Sequence, residues 1–279
     1  MIRILSLITA VIIVASCNNP ANKKENSIEN GIRIISLAPS ITKELESLNM
    51  TGNIVGATSY CNISAINKEL IVGTATEVNI EKVLLLNPDI VFASGLTKEN
   101  TINALKKNGI TVHRINKMQS FDDICDHFIE LGKLVGKADL AQSIINKSRI
   151  QVDSMSNSVP NQLNRLTVFF QIGAKPIFTV IPNTFMNDYI TFANCINIAA
   201  DLEKGIITRE SVLQRNPDII FIVTMGIVGN NEKNIWESYT EMNAAKSKNI
   251  FIIDSGIAST PTVLSFTETL EQVINNIYN

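Results

Sequence analysis

His113 and His127 are the only two imidazoles in 279 residues, and they bound the chemistry open to the chain. A three-histidine zinc site cannot be assembled from them, and a nucleophilic triad would have to take one of them as its base. His113 falls in the β-branched stretch Thr111 to Ile115, where an imidazole is first a satisfied strand residue and only second an axial haem ligand. His127 belongs to the run Asp122, Asp123, Asp126, His127 and Glu130, with Asp123 and His127 four residues apart as metal ligands on a helix can be. Ile124, Phe128 and Leu131 claim the buried stripe of that helix, which assigns the charged group to the solvated face and predicts no metal site there. No GxSxG, GxxxxGK[ST] or GxGxxG motif occurs. The run Gly132-Lys-Leu-Val-Gly136-Lys137 is one residue short of a phosphate loop and lies in a helical pattern. These residues point to a protein that binds, with no catalytic residue and no resident cofactor.

Composition agrees. With 45% apolar residues, 18% charged and a formal net charge of −2, the chain can bury a core and is neither disordered nor suited to nucleic acid. Aromatic residues make up 6%, with one Trp, so any ligand pocket has few aromatic walls. The length fits one large domain or two compact lobes, and the expected state is a monomer.

Residues 4–14 are apolar apart from Ser6 and Thr9 and follow Arg3, a segment too short to span ~30 Å of hydrocarbon. With Val14-Ala15-Ser16-Cys17 it resembles a bacterial lipoprotein signal. That resemblance implies removal of residues 1–16, lipid on Cys17 and an extracytoplasmic, membrane-anchored protein. Residues 17–30 carry one large apolar residue, Ile28, amid Asn, Lys, Glu and Ser and make a flexible tether. Cys61, Cys125 and Cys195 remain, an odd number permitting at most one disulfide. Cys125 and Cys195 lie in no CxxC spacing and are expected as small buried hydrophobes.

The elements that must position a site come in two copies. Glu81-Lys-Val-Leu-Leu-Leu-Asn-Pro-Asp-Ile-Val-Phe92 and Glu210-Ser-Val-Leu-Gln-Arg-Asn-Pro-Asp-Ile-Ile-Phe221 agree at eight of twelve positions, at an offset of 129 residues. That offset exceeds any solenoid period and indicates two similar lobes. In each copy Asn79 or Thr208 can cap a short helix, Asn-Pro ends it, and a β-branched strand follows. Strands are expected at Arg33–Leu37, Ile54–Ala57, Ile90–Ala93 and Thr111–Ile115, then at Thr167–Gln171, Ile219–Thr224 and Ile250–Asp254. Alternation with helices makes this an α/β chain of two Rossmann-like βαβ lobes with parallel sheets. The expected N-terminal lobe covers residues 31–120, linking helices 121–160 and a C-terminal lobe 161–279. A long helix from Ala138 to Ser156 joins the lobes and leaves a ligand cleft between them.

From Arg33 onward the chain resembles the helical-backbone class of ABC-transporter substrate-binding proteins, whose members capture cobalamin, ferric siderophores or haem. The resemblance rests on an ordered set: Arg33-Ile-Ile-Ser-Leu-Ala-Pro39-Ser40-Ile-Thr42, Val55-Gly-Ala-Thr-Ser-Tyr60-Cys61, Val72-Gly73 before Asn79-Ile-Glu81, Gln171 through Thr179, Thr208-Arg209-Glu210 and the late Trp236. It implies a receptor of limited closure that delivers its small-molecule ligand to a membrane permease and its ATPase. It further implies that Glu81 and Glu210 dock on the permease, one from each lobe.

For the cleft, the resemblance implies Ser40, Tyr60, Ser94, Phe178, and the stretch Asp254 to Thr260 with Ser255 and Thr260. Tyr60 and Phe178 match corrin-lining positions of the cobalamin-binding members. Ala75 and Ser94 stand where those members carry tryptophans, Thr262 where they carry an arginine, and Lys43 where the class carries a glutamate, with Glu44 one residue on. The implied ligand is a corrinoid first, a ferric siderophore second and haem third, with Tyr60 or His113 as haem ligand. Arg114 and Arg209 are the cations that could reach an anionic chelate.

Overall fold

The computed structural model describes residues 31–161, 163–224 and 229–279; the signal segment, Cys17 and the tether lie outside them. Residues 32–279 form one compact unit.

The first half runs β1 (Ile34–Ser36), α1 (Pro39–Ser47), β2 (Ile54–Ala57), α2 (Asn62–Ile66), α3 (Ile80–Leu85), β3 (Ile90–Ala93), α4 (Glu99–Lys107) and β4 (Thr111–Arg114). Its strands make a parallel sheet in the order β2-β1-β3-β4. Helices on both faces bury the central strands β1 and β3 completely, whereas edge strand β4 keeps exposed ends.

Two helices follow, α5 (Phe121–Leu134) and α6 (Ala138–Ser158). Gly136 separates them, at φ +70, a conformation that costs glycine little. With 21 residues α6 is about 31 Å long, and it links the two sheets as the interrupted apolar period predicts.

The second half runs β5 (Thr167–Ala174), β6 (Ile177–Thr179), α7 (Phe185–Phe192), β7 (Ile196–Asn197), α8 (Arg209–Arg215), β8 (Ile219–Val223), α9 (Gly229–Glu237), α10 (Asn243–Lys246), β9 (Ile250–Ile253), α11 (Ser255–Ala258) and α12 (Val263–Tyr278). Strands β7, β8 and β9 are parallel to β5 or to one another in the order β7-β5-β8-β9, which repeats the first sheet. The second sheet departs from the all-parallel expectation through β6, which folds back antiparallel on the end of a longer β5.

The repeated Asn-Pro-Asp has one job in both lobes. Asn87 and Asn216 each take φ +43, a left-handed turn that stops α3 or α8 just before the proline. Asp89 Oδ2 then accepts the Arg33 N–H at 2.6 Å, and Asp218 Oδ2 accepts the Thr167 N–H at 2.9 Å. Each aspartate thereby fixes the start of its lobe's central strand.

The largest hydrophobic cluster crosses from lobe to lobe. It includes Ile41 and Phe92 of the first half, Phe128 of α5, and Phe170, Phe221 and Phe266 of the second. Smaller clusters fill the far face of each sheet, one around Val83 and Val91, the other around Trp236 and Ile220. Cys61, Cys125 and Cys195 are free and buried, and burial pushes the Cys125 thiol up to about 11, which keeps it protonated.

Candidate functional site

Parallel sheets leave their strand-to-helix loops at the carboxyl edge, where ligands of open α/β folds bind. Here a cavity of about 430 Å³ opens at that edge between the two halves. From the first half it is lined by Ser40 and Ile41 at the start of α1, by residues 94–96 after β3 and by residues 115–118 after β4. The second half supplies Ile172 and Thr179 of the β5–β6 hairpin, residues 184–186 entering α7, and Ser259 and Pro261 after α11.

The lining is mainly apolar. Among the described residues Lys117 is its one charged side chain and Phe185 its one aromatic, and none is a histidine, tyrosine or cysteine. Met118 and Met186 meet it from opposite halves, and Leu96 stands 67% exposed in it. The hydroxyls of Thr179 and Thr184 are occupied by the carbonyls of Phe170 and Ile181, at 3.1 and 2.7 Å. Ser259 Oγ is buried without a partner, the arrangement expected of a group that awaits one.

Of the residues singled out in the sequence, Ser40 and Ser94 line this cavity. Tyr60, in the turn after β2, is 74% exposed and is outside the lining. Phe178 lies across Gly173, where any Cβ would come within 2.8 Å of its ring, and is also outside the lining. Ser255 and Thr260 are outside the lining: the Ser255 N–H bonds Thr224 Oγ1 after β8 at 3.2 Å, and Thr260 Oγ1 bonds the Gly256 carbonyl at 2.9 Å within its own turn, while Ser259 lines the cavity. Ala75 is outside the lining, and Thr262 is buried as the cap of α12, accepting the Ser265 N–H at 3.1 Å. Lys43 crosses between the halves, donating from Nζ to the Gly256 carbonyl at 2.6 Å.

Neither arginine reaches the cavity. Arg114 bonds Glu99 at 2.7 Å. Arg209 bonds Glu232 at 3.0 Å and stacks over Trp236 at 4.3 Å from its centroid. Trp236 in turn donates to Gln171 at 2.6 Å, in the far core.

The helix α5 charges divide differently from the stripe argument. Asp122, Asp123, Asp126 and Glu130 are exposed as expected, but His127 is buried. Its Nε2 is 2.9 Å from Oε2 of Glu44, which α1 holds only 2% exposed. Burial pulls the His127 pKa down, and the Glu44 carboxylate outweighs it, leaving the imidazole above its ordinary value. The partner that makes burial tolerable comes from 83 residues away, beyond the reach of any helical period.

The periplasmic binding protein family matches residues 34–256. The chain belongs to that family. Its members bind solutes for transport and carry out no reaction on them. An uncharacterized ABC transporter substrate-binding lipoprotein of Bacillus subtilis is 26% identical, over 98% of this chain and 95% of its own. A vitamin B12-binding protein of Vibrio cholerae is 23% identical, over 86% of this chain and 87% of its own. Among solved structures, a protein of Staphylococcus epidermidis described as a possible iron-binding periplasmic solute-binding protein superposes with a TM-score of 0.77. It is 28% identical, over 88% of this chain and 98% of that one.

In this periplasmic binding protein Glu81 and Glu210 occupy matched places. Asn79 Oδ1 caps α3 through the Lys82 N–H at 2.9 Å, and Thr208 Oγ1 caps α8 through the Ser211 N–H at 3.2 Å. Each cap is moored at the carboxyl edge. The Asn79 N–H bonds Val72, whose own N–H bonds Ala57 at the end of β2, while the Ile207 N–H bonds Ile177 of β6. Both glutamates are exposed in the first helical turn. The Glu210 carboxyl sits below its usual range through bonds to its own N–H and to Thr208.

Proposed function

We infer that the protein captures a corrinoid of the cobalamin type in the cavity between its halves and hands it to an ABC permease and its ATPase. Lipid on Cys17 would hold it at an extracytoplasmic membrane surface, and it would act as a monomer. The observation that carries the ligand class is the lining: among the described residues, apolar walls from both halves, a single ammonium and one buried hydroxyl without a partner.

A triscatecholate chelate carries several negative charges and needs a cluster of cations, which Lys117 alone does not provide. Haem presents two carboxylates, for which the described lining offers Lys117 alone, and its iron would find only the Met118 and Met186 thioethers there, with no histidine, tyrosine or cysteine. A corrinoid offers a broad apolar ring face with a rim of neutral amides. That matches side chains such as Leu96, Met118 and Met186 with Ser259 at the edge. The relative named a vitamin B12-binding protein supports the same choice. Docking through Glu81 and Glu210 is supported by their equivalence, since paired rim carboxylates can orient the body on a symmetric partner.

The relative described as possible iron-binding favours a second reading, in which the ligand is a neutral ferric chelate. Calorimetric titration separates the two, and is preferable to tryptophan emission because Trp236 is fully buried in the far core. Cobalamin, cobinamide, haem and neutral and anionic ferric siderophores are titrated in turn. Submicromolar binding of the corrinoids is expected. Silence toward corrinoids with binding of a ferric chelate replaces the first reading with the second. Silence toward all overturns both.

A further inference from the structure

Both imidazoles of the chain converge on one spot that the cavity does not use. His113 lies on edge strand β4, its ring edge-on to Phe92 at 5.8 Å between centroids. His127 and Glu130 are three residues apart on α5, hence on one helix face. One ring nitrogen of each histidine and one carboxylate oxygen of Glu130 lie within 4.8 Å of one another, and His113 Nε2 is already 3.8 Å from Glu130 Oε1. None of the three lines the cavity. Their side-chain exposures rise outward, from 8% at His127 through 22% at His113 to 59% at Glu130, so the group is open to solvent on the Glu130 side.

Behind His127 stands Glu44. With Nε2 hydrogen-bonded to Glu44, the ring can coordinate through Nδ1, which would be the outer-carboxylate arrangement that orients metal-bound histidines. Its second oxygen, Oε1, is buried without a partner.

We propose that His113, His127 and Glu130 bind one divalent transition-metal ion of the zinc class, with Glu44 as the carboxylate that positions His127. Two imidazoles and one carboxylate are a ligand set zinc accepts with a fourth place left for water. Ligand atoms around a tetrahedral zinc are about 3.3 Å apart, so the present separations close by movements of an exposed glutamate and a strand-edge ring. Charge balances, since the two carboxylates Glu130 and Glu44 match the dication while both imidazoles stay neutral. Imidazole and carboxylate together favour zinc or cobalt over calcium or magnesium, which prefer oxygen alone. The ion would clamp the free edge of the first sheet to α5 and, by binding only the folded chain, would raise its stability.

The test uses the purified full chain, stripped with chelator and titrated with Co(II) as a spectroscopic substitute for zinc. One Co(II) per chain is expected, with visible d–d absorption, no thiolate charge-transfer band, and displacement by zinc. His113→Asn and Glu130→Gln, both at accessible positions, should each weaken uptake at least about tenfold, while the metal-free variants melt where the parent does. No uptake at micromolar Co(II), a thiolate band, or uptake equal to the parent in both variants overturns the site. Corrinoid or chelate binding in the cavity is measured on the same variants and should not change, which keeps this result separate from the identity of the transported ligand.

Discussion

Lys43 and Gly256, 213 residues apart, are joined by an ammonium-to-carbonyl hydrogen bond of 2.6 Å that ties α1 of the first half to α11 of the second. The bond lies in solvent, so Lys43→Met should lower folding stability by less than about 1 kcal/mol. Ser40, which lines the cavity, is less than one helical turn away. The variant should therefore release ligand faster, as read by stopped-flow chase. An unchanged release rate would show that the strut does not hold the cavity closed.

Leu96 offers the largest gain on capture because it is two-thirds exposed in the empty cavity. If ligand covers it, Leu96→Ala forfeits about 1–2 kcal/mol of apolar contact, or about a tenfold rise in Kd. Tyr60→Ala, outside the lining, should leave the Kd nearly as it was. Calorimetry on both variants checks this, and a large loss at Tyr60 with none at Leu96 would move the site toward the end of β2.

Glu81→Ala combined with Glu210→Ala should keep ligand affinity, since neither side chain touches the cavity. Uptake by cells that depend on the protein should fall. Unimpaired uptake in the double variant would remove the two carboxylates from any docking role.

Asp218 is one carboxylate through which acid weakens the fold. Burial raises its pKa, but the Thr167 N–H and hydroxyl and the Asn243 amide outweigh burial and hold the carboxyl below its ordinary value. A depressed folded-state pKa contributes stability above the unfolded value of about 3.9 and loses it as the pH falls through the folded value. Asp218→Asn should thus be about 1–2 kcal/mol less stable than the parent at neutral pH, with the gap shrinking below about pH 4. Urea midpoints across that range decide it; a gap of constant size at pH 3 would mean the carboxylate charge is not what Thr167 recognises.

The pattern of what could be read from sequence follows the range of the forces involved. Strands β1, β3 and β8 were legible because β-branched runs bounded by turns report local burial, and the twin Asn-Pro-Asp revealed the repeat because two backbones needed the same left-handed stop. Strands β6 and β7 were not: with three and two residues they show no period, and each pairs with only one end of β5, β6 with its last residues and β7 with its first two. The same limit applies at the site. Ser94, directly after β3, and Ser40, in the first turn of α1, stand where the resemblance implied cleft residues, whereas a four-residue helix, α11, decides that Ser259 reaches the cavity. His127 could be assigned to a helix but not to the interior, since its burial depends on Glu44, which lies far off in the chain.

The hydrophobic cluster shared by both halves means that neither half is a spare part. Cutting the chain between α6 and β5 would strip Phe128 from Phe170 and Phe266 and leave two sticky remnants instead of two working modules. Heating should therefore produce a single calorimetric peak. Small-angle scattering of the empty and loaded forms should superimpose, because a common interior leaves little freedom for the outline to change when the guest arrives.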